Sequence, residues 1–174
     1  MTAPTTRTLG DAPAGWGLPD DAYMSCSDGL LENHFYRDLR WMDWSDYENM
    51  CRDADWLIEL QEEHPDEDAL SEAVGDNMAY CLDLDPEVAP VVAALAAIGA
   101  VPFTSCSGKV GHHETHPLVA FWATVDLKES VQAAARKAGV DVEAVGSALV
   151  VYHLSDPRPL RDFAHNLKEQ HATR

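Results

Sequence analysis

Between Cys106 and His116 the chain gathers one thiol, three imidazoles and one carboxylate in the run Cys106-Ser107-Gly108-Lys109-Val110-Gly111-His112-His113-Glu114-Thr115-His116. Thiolate and imidazole are the side chains that bind zinc and similar metals. Cys106, His112, His113 and His116 are therefore candidate ligands for zinc or another divalent metal. His112 and His116 would share a face if the segment were helical, and Glu114 would then be an outer-sphere base. The same residues suit a second chemistry. A thiol at a strand end beside Ser107, Gly108 and Lys109 gains from backbone N–H groups and an ammonium, both of which favour the nucleophilic thiolate. A loop histidine, or His153 if its strand is a neighbour, would act as base. The expected catalytic residues are Cys106 and His153, with Ser105, Ser107, Gly108 and Lys109 as ligand-binding positions. Gly108-Lys109 is not a phosphate loop, because Phe103 stands where that motif needs glycine and Val110 where it needs Ser or Thr.

The elements that must hold this loop are legible on both sides of it. Upstream, Asp85 as N-cap, Pro86 at the first helical position and Glu87 in the first turn open a helix through Val88, Val91, Val92, Leu95 and Ala96, which ends at Gly99. A strand, Val101 to Ser105, then feeds the loop. Downstream of Pro117 comes a second apolar run, Leu118 to Ala123, expected to pair with the first. Asp126 and Glu129 open another helix through Leu127, Val131, Ala134, Ala135 and Ala138, closed by Gly139. A third strand, Ala148 to Leu154, follows, with His153 alternating with Leu149 and Val151 on one face. Ser155-Asp156-Pro157 starts a last helix with Leu160, Phe163, Ala164 and Leu167 on one side.

Earlier in the chain, Ser45-Asp46-Tyr47-Glu48 has the form of a capping box and predicts a helix to about Glu63, before Pro65. Leu70, Ala73, Val74, Met78, Cys81 and Leu82 suggest a further helix, weakened at Gly75 by roughly 1 kcal/mol relative to Ala. Residues 1–22 carry few large apolar groups and read as a flexible arm. The expected organisation is that arm, then one α+β domain over 23–174. It has an acidic helical part, 23–84, and a layer, 85–174, in which helices cover a small, largely antiparallel sheet.

The 174 residues suffice for one domain with its own core. No apolar stretch approaches the roughly 18 residues of a membrane helix, and the first residues lack the features of a secretory signal. A cytoplasmic protein is expected, without a membrane partner. Cys26, Cys51, Cys81 and Cys106 form no C-x-x-C pair, so reduced thiols are expected. The net charge of -18 lies wholly in residues 1–100, which hold 22 acidic and 4 basic side chains. Such a field repels phosphate backbones and argues against a nucleic-acid partner. Tyr23, Phe35, Tyr36, Trp41, Trp44, Tyr47 and Trp56 are interleaved with these acids. Exposed members would make an aromatic, acidic surface for a basic protein, as small inhibitory antagonists use.

The run Leu84 to Leu95, then Gly99 and Phe103-Thr104-Ser105-Cys106-Ser107-Gly108, followed by Val119-Ala120-Phe121-Trp122, resembles the wybutosine-synthesising tRNA methyltransferase family and related uncharacterised bacterial and phage proteins. Shared features are a capped helix, a strand ending in Thr-Ser-Cys-Ser-Gly, and a second strand with an aromatic, over about residues 84–124. The resemblance implies S-adenosylmethionine as cofactor and methylation of a modified guanosine. Lys109 departs from the arginine that follows the glycine in that family. The residues themselves point first to a small-molecule or metal-binding domain with a Cys/His loop, and second to an acidic interaction module.

Overall fold

The structure is a computed structural model that describes residues 23–24, 34–35, 39, 41–74, 80–109, 114–145 and 148–172. The expected arm, residues 1–22, lies outside the described residues. Two short strands, β1 (Tyr23–Met24) and β2 (His34–Phe35), form an antiparallel ribbon. Two helices follow, α1 (Trp44–Glu63) and α2 (Glu67–Val74). The remainder runs α3 (Ala89–Ala97), β3 (Val101–Cys106), β4 (Leu118–Trp122), α4 (Lys128–Ala138), β5 (Asp141–Val145), β6 (Ala148–Tyr152) and α5 (Arg158–His171). The sheet has the order β3-β4-β6-β5, and every pairing is antiparallel. The fold is α+β, with the helices over one face.

α1 starts two residues earlier than Ser45 predicts. Asp43 is the N-cap, its Oδ1 accepting from the N–H groups of Ser45 at 2.7 Å and Asp46 at 3.2 Å, while Asp46 Oδ2 accepts from Asp43 N at 2.8 Å. A carboxylate that takes two N–H groups outcompetes a single hydroxyl, and hydrogen bonding by the Ser45 side chain first, then by the N–H groups of Asp46 and Ser45, lowers the Asp43 pKa. The earlier start places Trp44 edge-on to Tyr47 inside the first turn, ring centroids 5.7 Å apart. The expected helix over Leu70 to Leu82 is also corrected. α2 stops at Val74, and Tyr80–Asp83 forms a tight 3₁₀ turn in which Cys81 and Leu82 have φ of 54° and 53°. Left-handed backbone at two successive side-chain-bearing residues is incompatible with a continuing α-helix. Residues 75–79, Met78 among them, lie outside the described residues.

Asp85 is not the cap of α3. The chain turns there, with Val88 N and Ala89 N donating to Asp85 O, but the helix proper begins at Ala89, with Pro90 in its first turn. The Asp85 carboxylate is used elsewhere, as described below. α3 is buried on all sides, from Ala89 to Ala96. It is the central helix, between α1, α5 and the sheet, and its small Ala and Val side chains permit close approach of those neighbours. Gly139 closes α4 in the left-handed conformation, φ 72°, with its N–H on Ala135 O.

β4 reads Leu-Val-Ala-Phe-Trp and is buried at every position, as expected of a central strand covered on both faces. Val119 and Phe121 join Leu149 and Val151 beneath the helices, where they meet Leu95, Val131, Leu160 and Phe163. Cations of α5 tie the acidic N-terminal helix down: Arg161 Nη2 lies 2.5 Å from Asp55 Oδ1, and Lys168 pairs with Glu48. Part of the acidic field is thus answered within the chain. Among the described residues no helix is long and apolar enough to cross a membrane.

Cys81 is 1 % exposed. Burial, assisted by the nearby Asp53 charge, pushes its thiol from an ordinary 9.0 up to about 12. The folded thiol therefore keeps its proton while the unfolded one begins to lose it near pH 9, so this contribution to stability is intact below pH 9 and is lost as pH climbs toward 12. Burial also raises Tyr47 above its ordinary 10.0, which adds a loss in the same direction at higher pH. The melting temperature is expected to fall from pH 9 upward, and Cys81→Ala should delay the onset to about pH 10, where an exposed tyrosine starts to ionise. An identical alkaline profile in the variant would contradict this assignment.

Candidate functional site

The parity of β3 decides which side chains meet at the loop. Val101 is opposite Trp122 and Pro102 opposite Phe121, but the register then slips, so that Thr104 faces Ala120, Ser105 faces Val119 and Cys106 faces Leu118. Phe103 is the extra residue of a β-bulge on an edge strand, where Pro102 costs no ladder bond to a further strand. Were Phe103 paired in the ladder opposite Ala120 instead of bulged, Ser105 would be opposite Leu118 and Cys106 would turn toward the helices. With it, Cys106 shares the face of Leu118, the sheet face remote from the helices. Leu118 is in turn opposite Tyr152. One row across three strands therefore reads Cys106, Leu118, Tyr152.

His116 belongs to the same end. Its ring lies 5.4 Å from that of Tyr152, centroid to centroid, and its Nδ1 is 3.3 Å from Thr115 Oγ1. If Nδ1 carries the proton and donates to Thr115, Nε2 is left with its lone pair for a ligand. The loop is drawn tight between these points. Gly108 has φ 72°, and a Cβ built on it would stand 2.4 Å from His116 C and 2.7 Å from Pro117 N. Gly108 N also donates to Cys106 Sγ at 3.4 Å, which holds the sulfur at the base of the loop.

Two further ties fix the start of the loop to the helical layer. Ser107 N donates to Asp85 Oδ2 at 2.8 Å. Lys109 Nζ reaches Gln61 Oε1 of α1 at 2.9 Å and Glu87 Oε1 at 2.5 Å. The other oxygen, Glu87 Oε2, is buried with no hydrogen-bond partner among the described residues, and the ammonium is the compensation they offer that carboxylate. Lys109 thus anchors the loop to α1 and to the turn before α3. Asp85→Ala, which removes the acceptor of a part-buried N–H, is expected to cost about 1–3 kcal/mol. Asp85→Asn keeps an acceptor oxygen and should retain most of the stability. Equal urea midpoints for wild type and Asp85→Ala would show the bond to be dispensable.

Of the residues singled out in the sequence, Cys106, Ser107, Gly108, Lys109 and His116 are brought to one loop base. Ser105 turns to the helix side, opposite Val119. His112 and His113 lie outside the described residues, and among those described no three His, Cys, Asp or Glu side chains gather as a metal cluster. No family model, curated protein or solved structure matches this chain. His153 is one residue past Tyr152, so alternation turns it away from the face of Cys106, and β4 lies between the two strands. Its N–H donates to Pro117 O at 3.2 Å, and its Nδ1 accepts from Asp156 N at 3.1 Å. That arrangement caps the approach to α5 and makes Nδ1 an acceptor in the folded state. Tyr152 and Asp85 are the additions the structure makes to the site. Counting parity back from Leu118 would have found the first, and nothing in the sequence pairs Asp85 with Ser107.

Proposed function

We propose that the chain is a ligand-binding α+β domain whose site is the loop between β3 and β4, and that the ligand best suited to its donors is a soft divalent metal such as zinc. The observation that carries this reading is the close approach of Gly108, two residues after Cys106, to the His116-Pro117 backbone, which brings one soft sulfur and one imidazole to the same loop base. His112 and His113 belong to the same loop and would supply the further imidazoles that a four-coordinate site requires. Tyr152 would border the ligand, and Asp85 and Lys109 would hold the loop base still. An open coordination position would leave room for a small molecule, and the Gly108 N–H on Cys106 Sγ suits a thiolate in either a ligating or a nucleophilic role.

Cobalt titration tests this directly. Co²⁺ bound through Cys106 should give a sulfur-to-metal charge-transfer absorption that Cys106→Ser abolishes and His116→Ala weakens, with both variants retaining wild-type circular dichroism. Absence of that band, together with no heat of zinc binding, would remove the metal and leave the thiol as the reactive group. The resemblance to wybutosine-synthesising enzymes makes its own demand, measurable S-adenosylmethionine binding; calorimetry without heat at millimolar ligand would dispose of it. A basic protein partner is the second reading. It is favoured by the outer surface of α1, where Trp56, Glu59, Glu62 and Glu63 are exposed together, and it fails if charge reversal at Glu62 and Glu63 releases no bound protein.

A further inference from the structure

The first half of α1 borders a hollow that belongs to neither the loop nor the sheet. Asp46, Asn49, Met50 and Asp53 follow the i, i+3, i+4, i+7 spacing that puts side chains on one helix face. Against α1 packs the 3₁₀ turn Tyr80–Asp83, whose left-handed residues Cys81 and Leu82 face that helix side. Between helix and turn lies a cavity of about 140 Å³, with Trp41 and Met42 completing its wall at the helix start.

The lining divides into two chemistries. Met42, Met50 and Cys81 belong to the buried core, whereas Asp46 and Asp53 supply two carboxylates and Trp41 an indole. Among the described residues no Lys, Arg or His lines it. Asp46 Oδ2 is occupied by the N–H of Asp43, but the Asp53 carboxylate has no hydrogen-bond or ion-pair partner among the described residues. The neighbouring guanidinium groups are engaged, Arg52 by Asn49 and Arg161 by Asp55. The Cys81 thiol, raised first by burial, is raised further by the Asp53 charge, so that charge is felt at the apolar part of the lining.

An uncompensated carboxylate beside apolar walls is relieved by a cation. A bare inorganic ion would gain nothing from Met42 and Met50, and a neutral apolar molecule nothing from Asp53. An ammonium on an apolar stem gains from both, and the indole of Trp41 favours it further. At roughly 30 Å³ for each water-sized group, the cavity takes about five heavy atoms. The partial positive charge of the α1 N-terminus opposes any cation, but Asp43 and Asp46 already offset it. We propose that this hollow binds a primary ammonium on an apolar stem of about four carbons, the charge at Asp53 and Asp46 and the stem against Met42 and Met50. The site involves neither the Cys106 loop nor Glu62 and Glu63, so it holds or fails independently of both.

Titration of the full chain with n-butylammonium chloride, read on the methyl NMR signals of Met42 and Met50, tests the proposal. Both signals should shift saturably, with millimolar affinity. Asp53→Asn should weaken binding about ten-fold or more, as for a lost charge-assisted contact, while Glu143→Gln on β5 should leave it unchanged. n-Butanol, the stem without the charge, and ammonium chloride, the charge without the stem, should each bind at least about ten-fold more weakly. If Asp53→Asn fails to fold, Trp41→Ala takes its place with an expected loss of about two- to five-fold. Nα-Acetyl-lysine methylamide distinguishes the sources of the ammonium: binding as tight as that of butylammonium points to a lysine side chain, and weaker binding to a free alkylamine. No saturable shift with butylammonium overturns the proposal, as does equal affinity in the folded Asp53→Asn variant or equal binding of butanol or ammonium chloride.

Discussion

Gly108→Ala is expected to displace the loop and to abolish ligand binding while leaving most of the helical layer in place. The methyl group would arrive 2.4 Å from His116 C and 2.5 Å from His116 Cα, both backbone atoms with no rotamer to yield. The positive φ of 72° adds the penalty of left-handed backbone, roughly 1–2 kcal/mol by itself. Overpacking in a closed space adds about 1–3 kcal/mol more. Relief requires the His116-Pro117 backbone to move away from Gly108, which shifts His116 relative to Cys106 at the loop base. A loss of about 2–5 kcal/mol in urea unfolding, with no ligand bound even under conditions where the variant is folded, is the expected result. A variant that binds as wild type does would show that the close approach is not needed. Gly139→Ala is the control, since its φ is the same 72° but nothing lies within 4 Å of the added Cβ; it should cost only the backbone penalty and leave binding alone.

Phe121→Ala should have the largest effect on folding itself. Phe121 is fully buried on β4, the strand that pairs with both β3 and β6, and its ring lies in the core shared with Leu95, Val131 and Phe163. Truncation of a buried phenylalanine costs about 3–5 kcal/mol, a large share of the roughly 5–15 kcal/mol that holds a domain folded. Urea unfolding should move to much lower midpoints, and binding should fail with folding. A midpoint shifted by less than about 1 kcal/mol would mean that the surrounding helices close the cavity.

The sequence made the elements around the loop readable because their signals are local. Gly139 closes α4 as its position after Ala138 implies, and the apolar faces of α4 and α5 are those given by Val131 and Ala134 and by Leu160 and Phe163. β5 escaped notice because Asp141-Val142-Glu143-Ala144-Val145 is short and half charged. Its signal was present in Gly146-Ser147, a turn pair between two apolar-alternating runs. The site was legible in residue type and not in parity. A single extra residue at Phe103 decides whether Cys106 or Ser105 faces Tyr152, and a bulge leaves no periodic trace in six residues. Long-range choices were equally hidden. Asp85 has the sequence signature of a helix cap, yet its carboxylate serves Ser107, 22 positions away. Lys109 reads as an ammonium beside a thiol, yet it pairs with the Glu87 carboxylate and donates to Gln61.

The central claim is that the loop between Cys106 and His116 holds a ligand through its soft donors. Elemental mass spectrometry on untagged protein, wild type beside Cys106→Ser, addresses it most directly. The account predicts close to one zinc or similar divalent ion per wild-type chain and its loss from the folded Cys106→Ser variant. A metal-free wild type that also takes up no zinc when offered it would contradict the claim, as would metal retained in full by Cys106→Ser.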